Sequence, residues 1–155
     1  GGSGMPMLWD TWDGYAPARR RFLEQLDADA TSPVVLTGDI HTSIAGDLAL
    51  AGRSNNTAVE LVTTSISSPG FDTYLPTREG KQLSQAFREA NPALRWFETS
   101  KRGWVRLDLT PARITATWRH VQRVDVPGAR VASAMRLTST HREAEGDARF
   151  GLRRV

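Results

Sequence analysis

A chain of 155 residues, 39% hydrophobic and 24% charged, is long enough to bury the core of one globular domain; it has no cysteine, which excludes disulfides, zinc–thiolate sites and cysteine nucleophiles. The formal net charge is only +3 and the arginines are mixed with acidic residues, so no nucleic-acid partner is expected. No apolar run approaches the roughly 18 residues of a transmembrane segment, and no basic-then-apolar signal peptide is present.

The N-terminal residues divide into a leader and an aromatic stretch. Residues 1–4 are typical of a flexible leader or expression tag, which leaves residues 5–155 as the candidate domain. Residues 5–15 contain two tryptophans and a tyrosine without clear periodicity, and they suit either a core plug or the wall of a ligand site. Residues 16–30 have one apolar stripe and a proline in the first turn, which predicts a helix.

Residues 33–41 are expected to lie at the centre of the fold. Their apolar, β-branched run predicts a buried strand, and Gly38 permits a sharp turn after it. Asp39 and His41 follow that turn, at the carboxyl end of the strand, where open α/β sheets place their ligand sites. A carboxylate and an imidazole at this spacing can bind one metal ion together. An aspartate after a strand is also a common turn residue or helix cap, so the short motif alone leaves both interpretations open.

The middle of the chain continues the α/β pattern. Residues 47–51 are expected to form a short amphipathic segment, and residues 59–64 the next strand. The hydroxyl-rich loop at residues 65–70 has donors for a phosphate, but no histidine or acid beside it indicates a nucleophilic triad. A helix is predicted from Thr77 to about Ala90.

Beyond residue 100 the pattern changes to antiparallel β-structure. Residues 103–109 and 114–121 alternate between apolar and polar side chains across a short turn, which predicts a hairpin, and a third strand is expected around residues 132–137. His120 lies in an alternating strand and His141 in a polar tail, so both are interpreted as structural. Three side chains of the first hairpin strand are expected to point inward: Val105, Leu107 and Leu109.

Several motifs follow one another along the chain: Trp12-Asp13-Gly14-Tyr15, Pro33-Val34-Val35-Leu36-Thr37-Gly38-Asp39-Ile40-His41, Val59-Glu60-Leu61-Val62-Thr63-Thr64-Ser65-Ile66-Ser67-Ser68, Asn91-Pro92-Ala93-Leu94-Arg95-Trp96-Phe97, Arg102-Gly103-Trp104-Val105-Arg106 with Leu109-Thr110-Pro111, and the ending Gly151-Leu152-Arg153-Arg154-Val155. In this order and at these intervals they resemble the PhoD-like alkaline phosphatases. The resemblance covers almost the whole chain but only the C-terminal part of that family. It implies an α/β (α+β) fold: the C-terminal half of a metallophosphoesterase-like β-sandwich flanked by helices, with an antiparallel β layer after residue 100.

The resemblance also implies a function. The family members are metal-dependent phosphomonoesterases and phosphodiesterases, usually secreted or periplasmic, with Ca²⁺ and Fe³⁺ in the site and a phosphate ester as substrate. By this resemblance Asp39 and His41 are metal ligands, and Asp13 and Tyr15 are candidates for the site wall. The other ligands are expected in an N-terminal half of the same enzyme, so the isolated chain is expected to be inactive. The alternative is a non-catalytic binding or structural remnant of that fold.

Overall fold

In the residues that the computed structural model describes, there are two four-stranded sheets and two α-helices. The mixed α/β class and the change to antiparallel β-structure after residue 100 are confirmed. No helix in the described part of the chain is long and apolar enough to cross a membrane. The leader expected at residues 1–4 lies outside the described residues, which are 11–29, 32–53, 55–73, 77–141 and 150–155.

The first sheet and both α-helices come from residues 16–98. In chain order the elements are α1 (Ala16–Asp29), β1 (Val34–Thr37), β2 (Ser43–Leu48), β3 (Ala58–Val62), α2 (Thr77–Ala90) and β4 (Leu94–Glu98). The strand order across the sheet is β1–β3–β2–β4. β3 pairs in parallel with β1 and antiparallel with β2, while β4 pairs antiparallel with the other side of β2. β1 therefore lies at one edge of the described sheet.

The two helices pack on the first sheet. α1 contacts β3, and α2 contacts β4, where the rings of Phe87 and Phe97 stack with their centroids 5.1 Å apart. Pro17 lies in the first turn of α1, where its missing N–H group has no intrahelical partner to lose. Both helices occupy the ranges that their apolar periodicity predicts, apart from Ala30, which lies outside the described residues.

The second sheet is an antiparallel meander whose strands pair in chain order. The hairpin predicted from alternation is confirmed, and the third strand is longer than expected. A short strand near the C-terminus pairs with the third strand and is the last strand of the sheet. The strands are β5 (Arg102–Thr110), β6 (Arg113–Val121), β7 (Val131–Thr140) and β8 (Arg153–Arg154).

The two sheets bury one hydrophobic core between them. Trp118 of β6 is completely buried, and its Nε1–H donates a hydrogen bond to the carbonyl of Val62 in β3, 3.0 Å away. Its ring also contacts the edge of Trp96 in β4. The C-terminal residues Phe150 and Leu152 complete this core, although the tail that contains them has a weak sequence pattern. The arrangement is the predicted sandwich.

Two strands of the first sheet were not predicted. β2 overlaps only the first two residues of the segment expected to be a short amphipathic element at residues 47–51, and β4 had no prediction. β2 contains Gly46 and Asp47, residue types that are depleted in strands. Pairing on both sides overrides these preferences, and the Asp47 carboxylate accepts a hydrogen bond from Arg95 Nε of β4 at 2.6 Å.

Two predictions of burial were wrong. β1 is only partly buried: Val34 packs against the core, but Leu36 on the same face is 58% exposed because β1 lies at the sheet edge. Leu109, expected to point inward, is 71% exposed because it lies beside the turn that joins β5 to β6. Val105 and Leu107, farther from that turn, do pack against the core.

Candidate metal-binding site

The chain turns sharply where β1 ends. The N–H group of Ile40 donates a hydrogen bond to the carbonyl of Gly38 at 2.8 Å, which closes a three-residue turn around Asp39. The φ angles of Asp39 and His41 are 69° and 53°, in the left-handed region that few residues other than glycine adopt. This backbone places Asp39 and His41 directly after the carboxyl end of β1. The sequence predicted that location.

The imidazole of His41 is oriented by a backbone carbonyl. Its Nδ1 lies 2.6 Å from the carbonyl oxygen of Pro69. A carbonyl can only accept, so Nδ1 carries the hydrogen, and in the neutral ring Nε2 has the free lone pair. A histidine whose second ring nitrogen donates to a carbonyl is the usual arrangement of a metal ligand. The sequence did not reveal Pro69 as this partner, because a backbone carbonyl has no residue-type signal.

The carboxylate of Asp39 is available for a cation. Asp39 is exposed, and no described residue forms a hydrogen bond or an ion pair with its side chain. An exposed carboxylate two residues from an imidazole whose Nδ1 is already hydrogen-bonded fits two ligands of a metal centre. Within the described ranges no group of three or more metal-ligating side chains occurs. The donor set here therefore fits part of a site and is too small to enclose an ion.

The hydroxyl-rich loop packs directly on this turn. Its Ser65 hydroxyl donates to the carbonyl of Ser68 at 2.8 Å, so this hydroxyl stabilises the loop itself. A Cβ added at Gly70 would lie 3.0 Å from the carbonyl oxygen of His41, so glycine allows the loop and the turn to approach closely. The loop that sequence reasoning considered for phosphate binding thus supports the histidine.

Of the aromatic stretch before α1, the described side chains of Trp12 and Tyr15 form no hydrogen bond with Asp39 or His41. Trp12 and Tyr15 lie in a 3-10 helix (Trp12–Tyr15), and the ring of Trp12 stacks on Phe22 of α1 with centroids 5.4 Å apart. Tyr15 is exposed and forms no hydrogen bond or ring contact with Asp39 or His41. The side chain of Asp13 lies outside the described part of the structure. A wall formed by Asp13 and Tyr15 stays a prediction.

The other two histidines lie elsewhere. His120 is buried between the sheets; its Nε2 is 3.1 Å from the Ser43 hydroxyl and its ring stacks on Trp96. Burial lowers the pKa of His120, Glu98 opposes that shift, and Lys101 adds to it. His141 lies at the end of β7, with Nδ1 3.4 Å from the Ser32 hydroxyl. Their structural interpretation agrees with these positions.

Comparison with known proteins identifies the family. A family model described as PhoD-like phosphatase matches residues 2–118, most of the chain. The chain belongs to the PhoD-like phosphatase family. This PhoD-like chain is 32% identical over 128 residues to alkaline phosphatase D of Bacillus subtilis (strain 168). That similarity covers 80% of this chain and 21% of alkaline phosphatase D.

A solved structure described as "Structure of PhoD" has the same fold. It matches the whole PhoD-like chain with a TM-score of 0.78 and 30% sequence identity, and the match covers 28% of that structure. The predicted family and fold class are thereby confirmed. The PhoD-like chain spans less than a third of either relative. PhoD-like phosphatases are in general metal-dependent.

Proposed function

We propose that residues 5–155 are the C-terminal segment of a metal-dependent phosphomonoesterase and phosphodiesterase of the alkaline phosphatase D type. In this proposal Asp39 and His41 bind the metal centre. The observation that carries it is the hydrogen bond from His41 Nδ1 to the Pro69 carbonyl, because it leaves the lone pair of Nε2 for a metal ion. The Asp39 carboxylate, two residues earlier, has no hydrogen bond or ion pair with a described residue. Family membership supplies the reaction class.

The two side chains have different parts in this proposal. The imidazole of His41 is a nitrogen donor that suits iron, whereas the Asp39 carboxylate suits either calcium or iron. This agrees with the Ca²⁺ and Fe³⁺ that the family resemblance implies. Bound metal ions would polarise the phosphoryl group of a phosphate ester and stabilise its developing charge. The residues of this chain hold donors in place; none is assigned as nucleophile or general base.

The remaining ligands are proposed to come from an N-terminal half of the same enzyme. Two observations support this: no three ligating side chains are grouped together in the described ranges, and this chain spans only 21% of alkaline phosphatase D. Calcium alone takes about six to eight oxygen ligands, far more than Asp39 offers. The isolated 155 residues are therefore proposed to be inactive. The complete enzyme is proposed to act in the secreted or periplasmic space, as the resemblance implies.

A direct test measures hydrolysis of bis-p-nitrophenyl phosphate with Ca²⁺ and Fe³⁺ present. We expect no hydrolysis above the metal background from the isolated chain. Adding the separately purified N-terminal part of a PhoD-like phosphatase should restore it. In the complemented enzyme Asp39→Asn should lower kcat/KM by about 100-fold or more, because even indirect partners of metal ligands contribute about 10–100-fold.

The matched control is Asp108→Asn, an exposed carboxylate in an ion pair on β5. It should behave like the unaltered chain. Hydrolysis by the isolated chain that disappears in Asp39→Asn would contradict the half-site proposal. A complemented enzyme that tolerates Asp39→Asn would contradict the ligand role.

The second candidate function is a non-catalytic remnant of the same fold. It is favoured by the same small donor set in the described residues. In a remnant, Asp39→Asn should change the free energy of unfolding without changing Fe³⁺ or Ca²⁺ affinity. A metal ligand should give the reverse result.

A further inference from the structure

Arg102 lies at the first position of β5, beneath the loop that orients His41. Its side chain is only 10% exposed. Nε donates to the carbonyl of Ser68 at 2.7 Å, and Nη1 donates to the carbonyl of Ser100 at 3.2 Å. Nη1 also forms an ion pair with the carboxylate of Asp72 at 2.8 Å. One buried guanidinium thus binds three groups on two segments.

The contacts of Arg102 lie on both sides of Pro69. Ser68 directly precedes Pro69, and Asp72 follows it by three residues. Between them, Gly70 lies against both the backbone of His41 and the guanidinium of Arg102. The carbonyl that accepts from His41 therefore lies in a short segment that Arg102 holds at each end. A displacement of this segment would move the acceptor away from Nδ1.

Among the described residues, the backbone hydrogen bond that joins this loop to β5 lies at the base of the loop, and a second one, from the amide of Thr73 to the carbonyl of Gly70 at 3.0 Å, lies within the loop. The amide of Gly103 donates to the carbonyl of Ser65 at 2.9 Å, and the hydroxyl of Thr64 donates to the carbonyl of Lys101. Ser68 and Asp72 are joined to β5 through the Arg102 side chain. A lysine has a single ammonium and cannot reproduce a planar fork that serves several acceptors.

We infer that Arg102 is a positioning residue for His41. It holds the segment from Ser68 to Asp72 so that the Pro69 carbonyl fixes the hydrogen of His41 on Nδ1 and leaves Nε2 for a metal ion. The effect on the tautomer follows from the contacts alone. The effect on metal affinity rests on the proposed function.

The test reads the His41 ring directly. Long-range ¹H–¹⁵N spectra of the metal-free 155-residue chain, recorded well above the ordinary imidazole pKa of about 6.5, report which ring nitrogen carries the hydrogen. We expect Nδ1–H in the unaltered chain and a mixture of tautomers in Arg102→Gln. In the enzyme complemented with the separately purified N-terminal part of a PhoD-like phosphatase, a titration with Co²⁺ should give about tenfold weaker binding in Arg102→Gln, the lower end of the effect of such partners.

Two further variants sharpen the result. Arg102→Lys keeps the charge beside Asp72 and loses the fork, so it should shift the tautomer less than Arg102→Gln does. Arg106→Gln is the matched control, because it removes an exposed arginine with its own aspartate partner on the same strand. It should leave both readouts unchanged.

The outcomes separate the two proposals. A folded Arg102→Gln chain with His41 still fixed as Nδ1–H would overturn the positioning role. If Arg102→Gln does not fold, Arg102→Lys decides in the same way. Failure of both to fold would also overturn it, by showing that Arg102 stabilises the whole domain. A shifted tautomer together with no Co²⁺ binding to any of the complemented enzymes would contradict the proposed function and leave the positioning role intact.

Discussion

Replacing Asp47 with alanine should destabilise the domain by separating the C-terminal tail from the first sheet. The Asp47 side chain is 1% exposed. Its Oδ1 accepts from the amide of Leu152 at 2.8 Å, and its Oδ2 accepts from Arg95 Nε at 2.6 Å. One carboxylate therefore joins β2 both to its neighbour β4 and to the tail that supplies Leu152 to the core.

The magnitude follows from the surroundings of each partner. The bond to the buried Leu152 amide involves a charged acceptor and contributes about 1.5–3 kcal/mol. The Arg95 side chain is 45% exposed, so solvent screening reduces the ion pair to about 1 kcal/mol or less. We expect Asp47→Ala to lower the free energy of unfolding by about 2–4 kcal/mol, which lowers Tm by about 4–16 °C at this chain length.

Thermal and urea unfolding followed by circular dichroism would measure this change. Arg95→Gln should cost about 1 kcal/mol or less, because it removes only the screened pair. Asp108→Ala, which removes an exposed ion pair, should change stability by less than about 0.5 kcal/mol. The reasoning would be refuted if Asp47→Ala were as stable as Asp108→Ala. Equal losses from Asp47→Ala and Arg95→Gln would assign the effect to the ion pair instead of the Leu152 amide.

Two further predictions concern the second sheet. Because burial lowers the pKa of His120, the unfolded state takes up its proton first as the pH falls; His120 should therefore favour the folded state fully above about pH 6.5 and progressively less below it. Urea unfolding across this range should show a steeper loss in the unaltered chain than in His120→Gln, and equal slopes would contradict the assignment. Gly103→Ala should cost about 3 kcal/mol or more, since φ is 153° and the new Cβ would overlap the carbonyl oxygen of Arg119. Gly128→Ala, with φ of 73° and open space around it, should cost about 1–2 kcal/mol in the same urea assay, and similar losses in both would refute the steric argument.

Elements with strong local periodicity were predictable from the sequence. Both helices and the β5–β6 hairpin have apolar side chains at the spacing that their own geometry requires. The strand β2 was not predictable from the sequence, because Gly46 and Asp47 locally disfavour a strand. They are tolerated there because β2 pairs with a strand on each side. The burial of Phe150 and Leu152 also depends on contacts far away in the chain.

The candidate site also has parts that could be predicted from the sequence and parts that could not. The position of Asp39 and His41 directly after β1 was predictable, because a turn after an apolar strand is where α/β folds present ligands. Their role as metal ligands stays a prediction. The groups that support this turn were not predictable. Pro69 acts through its carbonyl, and Arg102 acts on a segment more than thirty residues earlier in the chain. Such a pairing becomes visible only when β5 is seen beside that loop.

The left-handed backbone at Asp39 and His41 has an energetic consequence for this fold. Each residue would adopt its φ angle with less strain as glycine, and the difference is about 1–2 kcal/mol per position. Substituting glycine at both positions to raise stability would therefore remove both candidate ligands. At the turn after β1, glycine would give the more stable fold, whereas metal binding would need the side chains of Asp39 and His41. This chain has the carboxylate and the imidazole at these positions.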